Sequence, residues 1–140
     1  MFERILVAHD GSDGAQKAFD VAVELASELK AKLHMISVEE NIPRYAETMV
    51  EIDEEKNAED SYFGQLAAQA TRWAALHNVA LETSIVPGHE VKAIVDFAAQ
   101  GGFDLLVIGF HGHSRIYEHL WGGTSQNLAR IAPCSVLIVK

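Results

Sequence analysis

Two short runs, residues 5–8 and 105–108, are continuously apolar, and they constrain the possible folds more than any other feature of the chain. A strand with one solvated face alternates apolar and polar residues, whereas an unbroken apolar run of this length predicts a strand buried on both faces. Such strands occur where helices cover both sides of a parallel sheet. The two runs are therefore expected to be the central strands of an α/β sheet.

Helical patterns separate these two strands from three others. Apolar residues recur there at the spacing of an amphipathic helix, and glycine, proline or asparagine marks most of the ends. The predicted strands are residues 5–8, 33–38, 81–85, 105–108 and 136–139, and the predicted helices cover residues 18–29, 63–77, 91–98 and 124–130. Strict alternation of strand and helix indicates a doubly wound, Rossmann-like α/β fold. Its five-stranded parallel sheet has the order 3-2-1-4-5, with helices on both faces.

The stretch from residue 39 to residue 60 is acidic and has little apolar periodicity. Pro43 prevents a regular helix at its start. We expect a variable loop that runs into the second helix. Because it follows strand two, it is also a candidate response element beside the carboxyl end of the sheet.

Composition narrows the classes of function. The 140 residues are expected to form one domain, and the net charge of −9 disfavours a nucleic-acid partner, since a phosphate polymer would be repelled. A single nucleotide remains compatible, because backbone N–H groups can hold its phosphates without a basic patch.

The one cysteine, Cys134, cannot form a disulfide within the chain. No apolar run reaches the roughly 18 residues of a membrane span, so we expect a cytoplasmic protein without membrane insertion.

The sheet order predicts where a ligand would bind. Doubly wound sheets bind ligands beyond the carboxyl ends of the strands, where the winding reverses, and here that point lies between strands one and four. The loops leaving these strands, residues 9–14 and 109–123, are the two most glycine-rich stretches. Gly109 would let backbone approach a ligand, and the start of the following helix would present free N–H groups to an anion. The alternative is an ordinary connection with glycine turns.

The second of these loops resembles the ATP-binding branch of the universal stress protein family. That branch carries G-x2-G-x9-G-[ST] after strand four, and Gly109, Gly112 and Gly122 match its spacing. The resemblance covers the whole chain, including residues 5–12 and 132–139. Gly123 departs from the pattern, because it stands where the family has Ser or Thr, and Thr124 and Ser125 follow it.

The resemblance implies a role for each matching position. Asp10 would contact the nucleoside, Ala8 and His9 would line the same wall, and the backbone of Val38 would read adenine. The residues alone also allow Asp10 as a cap of helix one and Val38 as core. The complete implied nucleotide site is Ala8, His9, Asp10, Val38, Ile108, Gly109, Gly112, His113, Gly122, Gly123, Thr124 and Ser125. The implied ligand is ATP or another adenine nucleotide, with Mg²⁺ as its candidate companion ion.

A metal site and an ATP-hydrolysing enzyme are the two other kinds of chemistry that the residues suggest. His111, His113 and His119 form a possible metal group, but no cysteine or Glu-x-x-His pair accompanies them, so we expect no metal site. No activated nucleophile can be recognised, and Arg115 is the only basic residue in the loop, so ATP hydrolysis is expected to be slow or absent.

Strand five, from Val136 to Val139, would lie at a sheet edge with an almost uniformly apolar sequence. Proteins seldom leave such an edge uncovered, and antiparallel pairing of two copies would cover it. The resemblance also implies such a homodimer.

The leading hypothesis is a nucleotide-sensing stress-response protein that acts on an unidentified regulatory partner. A weak ATPase and a nucleotide-free interaction module of the same fold remain the alternatives.

Overall fold

The computed structural model describes residues 1–40, 49–110 and 123–140, with the backbone alone for residues 49–60. Strands and helices alternate through this part of the chain. They are β1 (Arg4–Ala8), α1 (Asp13–Leu29), β2 (Lys32–Glu39), α2 (Met49–Leu76), β3 (Leu81–Pro87), α3 (Glu90–Gln100), β4 (Leu105–Gly109), α4 (Thr124–Ile131) and β5 (Ser135–Val139).

The five strands form one sheet of order β3-β2-β1-β4-β5, and every neighbouring pair is parallel. The predicted fold and strand order are therefore confirmed. The two apolar runs occupy β1 and β4 in the middle of the sheet, as their composition requires. β3 and β5 are the two edges, which agrees with the alternating sequence predicted for the third strand.

Helices cover both faces of the sheet and divide the core into two layers. On one face, α1 and α2 pack against the residues of β1 and β4 with odd numbers, and on the other face α3 and α4 pack against those with even numbers. The first layer includes Ile5, Val7, Phe19, Val23, Ala74, Leu105 and Val107. The second includes Leu6, Ile36, Ile94, Leu106, Ile108 and Leu128.

The second helix begins earlier than its apolar stripe suggests. β2 continues through Glu39, and α2 starts at Met49, so residues 49–60 are helical, whereas the sequence predicted a loop over much of that stretch. The physical reason is composition. Four of the twelve residues in this segment are glutamates, and glutamate favours a helix even without an apolar face. Residues 41–48, including Pro43, lie outside the described part of the chain.

Gly109 lets α1 approach the end of β4. A Cβ atom on Gly109 would lie 2.6 Å from the carbonyl oxygen and 2.7 Å from the carbonyl carbon of Gly14 in the first turn of α1. Its φ angle is not positive, in contrast to Gly11, Gly88 and Gly102. The glycine is thus required for close helix–strand packing, and its predicted approach to a ligand stays a prediction.

None of the helices among residues 1–40, 49–110 and 123–140 is long and apolar enough to cross a membrane.

We expect Gly109→Ala to destabilise the fold, because the new methyl group would meet backbone atoms that cannot rotate away. Overpacking of this kind costs about 1–3 kcal/mol, measurable as a lower midpoint of urea unfolding. Gly64→Ala is the matched control, since Gly64 lies in α2 with nothing within 4 Å of the added Cβ. The control should stabilise by about 0.5–1 kcal/mol. Equal effects of the two substitutions would contradict this account of Gly109.

Candidate functional site

The two central strands separate at the predicted switch point. The β1–β4 ladder ends at the pair Val7–Val107. Beyond it, β1 continues to pair with β2, where the His9 N–H donates to the Ile36 carbonyl at 3.0 Å. β4 instead stays with β5 up to the pair Gly109–Val139. A crevice therefore opens between the carboxyl ends of β1 and β4, where a doubly wound sheet binds its ligands.

Three of the predicted site residues share one face of the sheet beside this crevice. Ala8 and Val38 are half-buried and pack against the core layer of α3 and α4, to which Ile108 belongs. Their common face makes an apolar surface at the ends of β1, β2 and β4. The packing of Val38 agrees with the alternative that it is a core residue. Because it lies at the end of β2, its backbone is still placed where it could contact adenine.

The first turn of α4 begins on the same face. Since α4 leads into the parallel strand β5, its N-terminus lies at the carboxyl end of the sheet, where the crevice opens. Gly123 is the N-cap, with φ −56° and ψ 170° and no side-chain cap hydrogen bond. Thr124 is exposed, whereas Ser125 is buried. The first N–H groups of this turn have no partners within the helix and carry the positive end of its dipole.

His9 does not share the wall with Ala8. Its ring lies on the opposite, α1 side of the sheet, 5.7 Å from the ring of Phe19, and its Nε2 atom is 3.0 Å from Oε1 of Gln16. The family resemblance implied that Ala8 and His9 line the same wall, and strand alternation is the reason that their side chains do not. Within the described residues, His9 contributes to the site through its backbone and through the loop that follows it.

Asp10 closes a turn on the next loop residues. Its Oδ1 atom accepts a hydrogen bond from the Ser12 N–H at 2.9 Å. Ser12 is the N-cap of α1, and its Oγ accepts from the Ala15 N–H at 3.2 Å. Asp10 therefore does not cap α1, and the alternative that gave it this role is wrong. Its Oδ2 atom makes no hydrogen bond with the described part of the chain.

Tyr62 is a contact of this loop that the sequence analysis missed. Its hydroxyl lies 3.4 Å from the Asp10 carbonyl, to which it donates. A Cβ on Gly11, whose φ is +90°, would coincide with this hydroxyl. Tyr62 stands just before the apolar stripe that begins at Phe63, so no spacing marked it. Glycine at position 11 is thus required by its backbone conformation, and a Cβ there would also displace the Tyr62 hydroxyl.

The ring of His9 is neutral, and its tautomer is defined. Nδ1 accepts a hydrogen bond from the Gly11 N–H at 3.0 Å, so the ring proton is on Nε2, which donates to Gln16. Burial lowers the pKa of His9 below its usual value, because desolvation disfavours the imidazolium more than Gln16, Asp10 and Asp20 favour it. The His9 carbonyl in turn accepts from the buried Ser37 hydroxyl at 2.7 Å.

The remaining predicted residues, Gly112, His113 and Gly122, lie outside the described part of the chain. The same holds for His111 and His119 of the metal hypothesis and for Arg115. Their predicted roles stay predictions.

A five-stranded parallel sheet of order β3-β2-β1-β4-β5 with helices on both faces defines a Rossmann-like α/β protein. The comparison with known families is more specific. The chain belongs to the universal stress protein family, whose sequence model matches residues 1–140. Universal stress protein YxiE of Bacillus subtilis is 32% identical over 148 residues, which cover 100% of both chains.

Solved structures of the family share the fold over almost the whole chain. Universal stress protein UspA from Lactobacillus plantarum is 28% identical with a TM-score of 0.90, and the match covers 99% of this chain and 98% of that protein. A universal stress protein solved in complex with cAMP is 27% identical with a TM-score of 0.78, over 99% of this chain and 97% of its own.

We expect stability to fall in mild acid because of His9. Its folded-state pKa is lowered, so the unfolded chain binds the proton first. The contribution of His9 to the free energy of unfolding is complete above the pKa of the unfolded chain, about 6.5. It is lost as the pH falls from there through the pKa of the folded protein, at up to about 1.4 kcal/mol per pH unit. His9→Asn keeps an acceptor for the Gly11 N–H but cannot titrate, so its unfolding free energy should vary less between pH 7 and pH 5.

His34 has a pKa that is also lowered by burial, so the variant should retain part of the slope. Chemical unfolding of both proteins across this pH range measures the difference. Identical slopes for the wild type and His9→Asn would show that His9 does not take up the proton.

Proposed function

We propose that this chain binds an adenine nucleotide in the crevice between β1 and β4 and acts as a homodimeric stress-response sensor or adaptor. The observation that carries the proposal is the geometry of that crevice. Apolar side chains of Ala8, Val38 and Ile108 stand on the same sheet face as the open N-terminus of α4. This combination suits a ligand with a flat apolar base and an anionic end. The relative in complex with cAMP supports a nucleotide of this class.

The proposed contacts follow from this placement. The base would lie against Val38 and Ala8, and the unbonded Oδ2 of Asp10 would accept from the sugar hydroxyls. The phosphates would bind the N–H groups of Thr124 and Ser125 and the Ser125 hydroxyl. Gly112, Gly122 and His113 would complete the phosphate site, and Ile108 and Gly109 would lie under the sugar. Mg²⁺ would accompany a triphosphate.

Release of nucleotide from the purified protein tests the proposal directly. We expect mass spectrometry of the denatured protein to detect adenine nucleotide, and the stripped protein to bind at least one of ATP, ADP, AMP and cAMP in calorimetric titrations. If no nucleotide is released and none of the four binds at up to millimolar concentration, the chain is a nucleotide-free module of the same fold.

Gly123 offers a test of the phosphate end. A Cβ at this position meets no described residue within 4 Å, so Gly123→Ser adds the hydroxyl of the family pattern without steric conflict with residues 1–40, 61–110 and 124–140. One added hydrogen bond of about 0.5–1.5 kcal/mol should tighten ATP binding roughly two- to tenfold. Gly123→Ala is the control that adds Cβ without a hydroxyl. If the serine and alanine variants bind ATP equally, position 123 does not contact the phosphates.

A turnover assay separates the regulatory proposal from the weak-ATPase alternative. We expect phosphate release from ATP to be at the level of the uncatalysed control, since binding through backbone N–H groups supplies no attacking group. Hydrolysis that is lost in both Asp10→Ala and Ser125→Ala would instead favour an enzyme.

The dimer is proposed to form through β5. The Phe110 N–H donates to the Val139 carbonyl, so Val139 faces β4 and the backbone groups of Ile138 face the open edge. In sedimentation velocity at micromolar concentration, we expect the wild type and Ile138→Ala to be dimers and Ile138→Pro, which lacks the edge N–H, to shift to monomer. A monomeric wild type would contradict the proposed dimer.

A further inference from the structure

The loop that follows β1 is held by hydrogen bonds at three successive residues. The Gly11 N–H donates to Nδ1 of His9 at 3.0 Å, and the Ser12 N–H donates to Oδ1 of Asp10 at 2.9 Å. The Tyr62 hydroxyl donates to the Asp10 carbonyl at 3.4 Å. These bonds determine where the Asp10 carboxylate lies relative to the crevice. Of the three, only the bond to His9 depends on a proton that is exchanged near neutral pH.

A short polar relay determines which nitrogen of His9 carries that proton. The Gln16 side-chain N–H donates to Oδ1 of Asp20 at 3.0 Å, which directs the Gln16 amide oxygen toward the ring. Nε2 of His9 must therefore be the donor, and Nδ1 is left as the acceptor for Gly11. These hydrogen bonds run from His9 through Gln16 to the exposed carboxylate of Asp20, along the first two turns of α1.

We propose that His9 is a positioning residue of the nucleotide site, and that its protonation opens the loop from residue 9 to residue 12 and weakens nucleotide binding. A proton on Nδ1 would face the Gly11 N–H across 3.0 Å, so two donors would meet where one bond now exists. Gly11, at φ +90°, could then relax, and Asp10 would lose its orientation. This inference rests on the proposed nucleotide site and names its regulation.

The groups around His9 decide when the switch operates. Asp10 follows it on the chain, and Asp20 faces it through Gln16 of α1; both carboxylates favour the imidazolium. From β2, Ser37 binds the His9 carbonyl, and the buried Glu39 lies two residues further along the same strand face. The Phe19 ring of α1 and the rest of the core exclude water from the ring. Burial lowers the pKa of His9 more than the two carboxylates raise it. The loop with the Gly11–His9 hydrogen bond is therefore the form at neutral pH, and the loop without that bond is the form in acid.

Two substitutions at position 9 separate positioning from packing. His9→Asn retains a side-chain acceptor at the place of Nδ1, whereas His9→Leu fills the apolar surroundings without one. Using whichever of ATP, ADP, AMP and cAMP binds the wild type best at pH 8, we expect His9→Leu to bind at least about fivefold more weakly than His9→Asn, as a lost loop hydrogen bond predicts. Equal affinities of the two variants would mean that His9 acts only by filling space.

The pH profile of affinity is the second readout. If only the neutral form binds, the dissociation constant of the wild type should rise about tenfold per pH unit below the pKa of His9. His9→Asn should lack this rise, and subtracting its profile removes any titration of the ligand itself. Circular dichroism at each pH restricts the comparison to folded protein. Parallel profiles of the two proteins would overturn the inference.

A measurement on the wild type avoids dependence on any variant. Because linkage is reciprocal, saturation with the same nucleotide must lower the pKa of His9 as read from its ring ¹⁵N shifts. The free protein should also show the Nε2–H tautomer. An unchanged pKa with nucleotide bound overturns the switch and leaves the proposed function intact. Failure of all four nucleotides to bind at pH 8 overturns both.

Discussion

The burial of β1 and β4 on both faces is the constraint on which the rest of the structure depends. Ile5, Leu6 and Val7 are completely inaccessible to solvent, as are Leu106 and Val107. Each such side chain contributes about 1.5–3 kcal/mol only if helices cover both sides of the sheet. The chain must therefore wind to both faces, and the two central strands end with their following connections on opposite sides. The crevice at their carboxyl ends is a consequence of that winding.

Three glycines near this crevice have three different physical roles. Gly11 adopts a left-handed conformation against the Tyr62 hydroxyl, and Gly109 allows α1 to contact the end of β4. Gly123 begins α4 in a conformation open to other residues, and no described residue lies within 4 Å of its Cβ position. Only the first two are required by the fold described here. A glycine-rich pattern thus marks the position of a site, while the reason for each glycine depends on the element that approaches it.

The sequence was sufficient for the parts of the structure that depend on local pattern. Unbroken apolar runs identified the central strands, and the alternation of elements predicted the sheet order. Periodicity failed at residues 49–60, where helix propensity acts without an apolar face. The Tyr62 contact could not be predicted, because it depends on how α2 packs over the loop after β1, whereas strand alternation already places the His9 ring opposite Ala8. The contact joins Tyr62 to Asp10, 52 positions apart, and no residue spacing in the sequence reveals it.

The charge of the chain explains why loop geometry would matter so much in this protein. With a net charge of −9, the molecule as a whole repels a nucleotide, so the attraction must come from oriented N–H groups at short range. Hydrogen bonds from oriented N–H groups weaken steeply when their angles change, whereas the attraction of a basic patch depends less on direction. Under the proposed function, a neutral imidazole that fixes Gly11, and thereby Asp10, would therefore control affinity through the geometry of the loop. The same burial that stabilises the neutral ring also links that control to the stability of the whole fold.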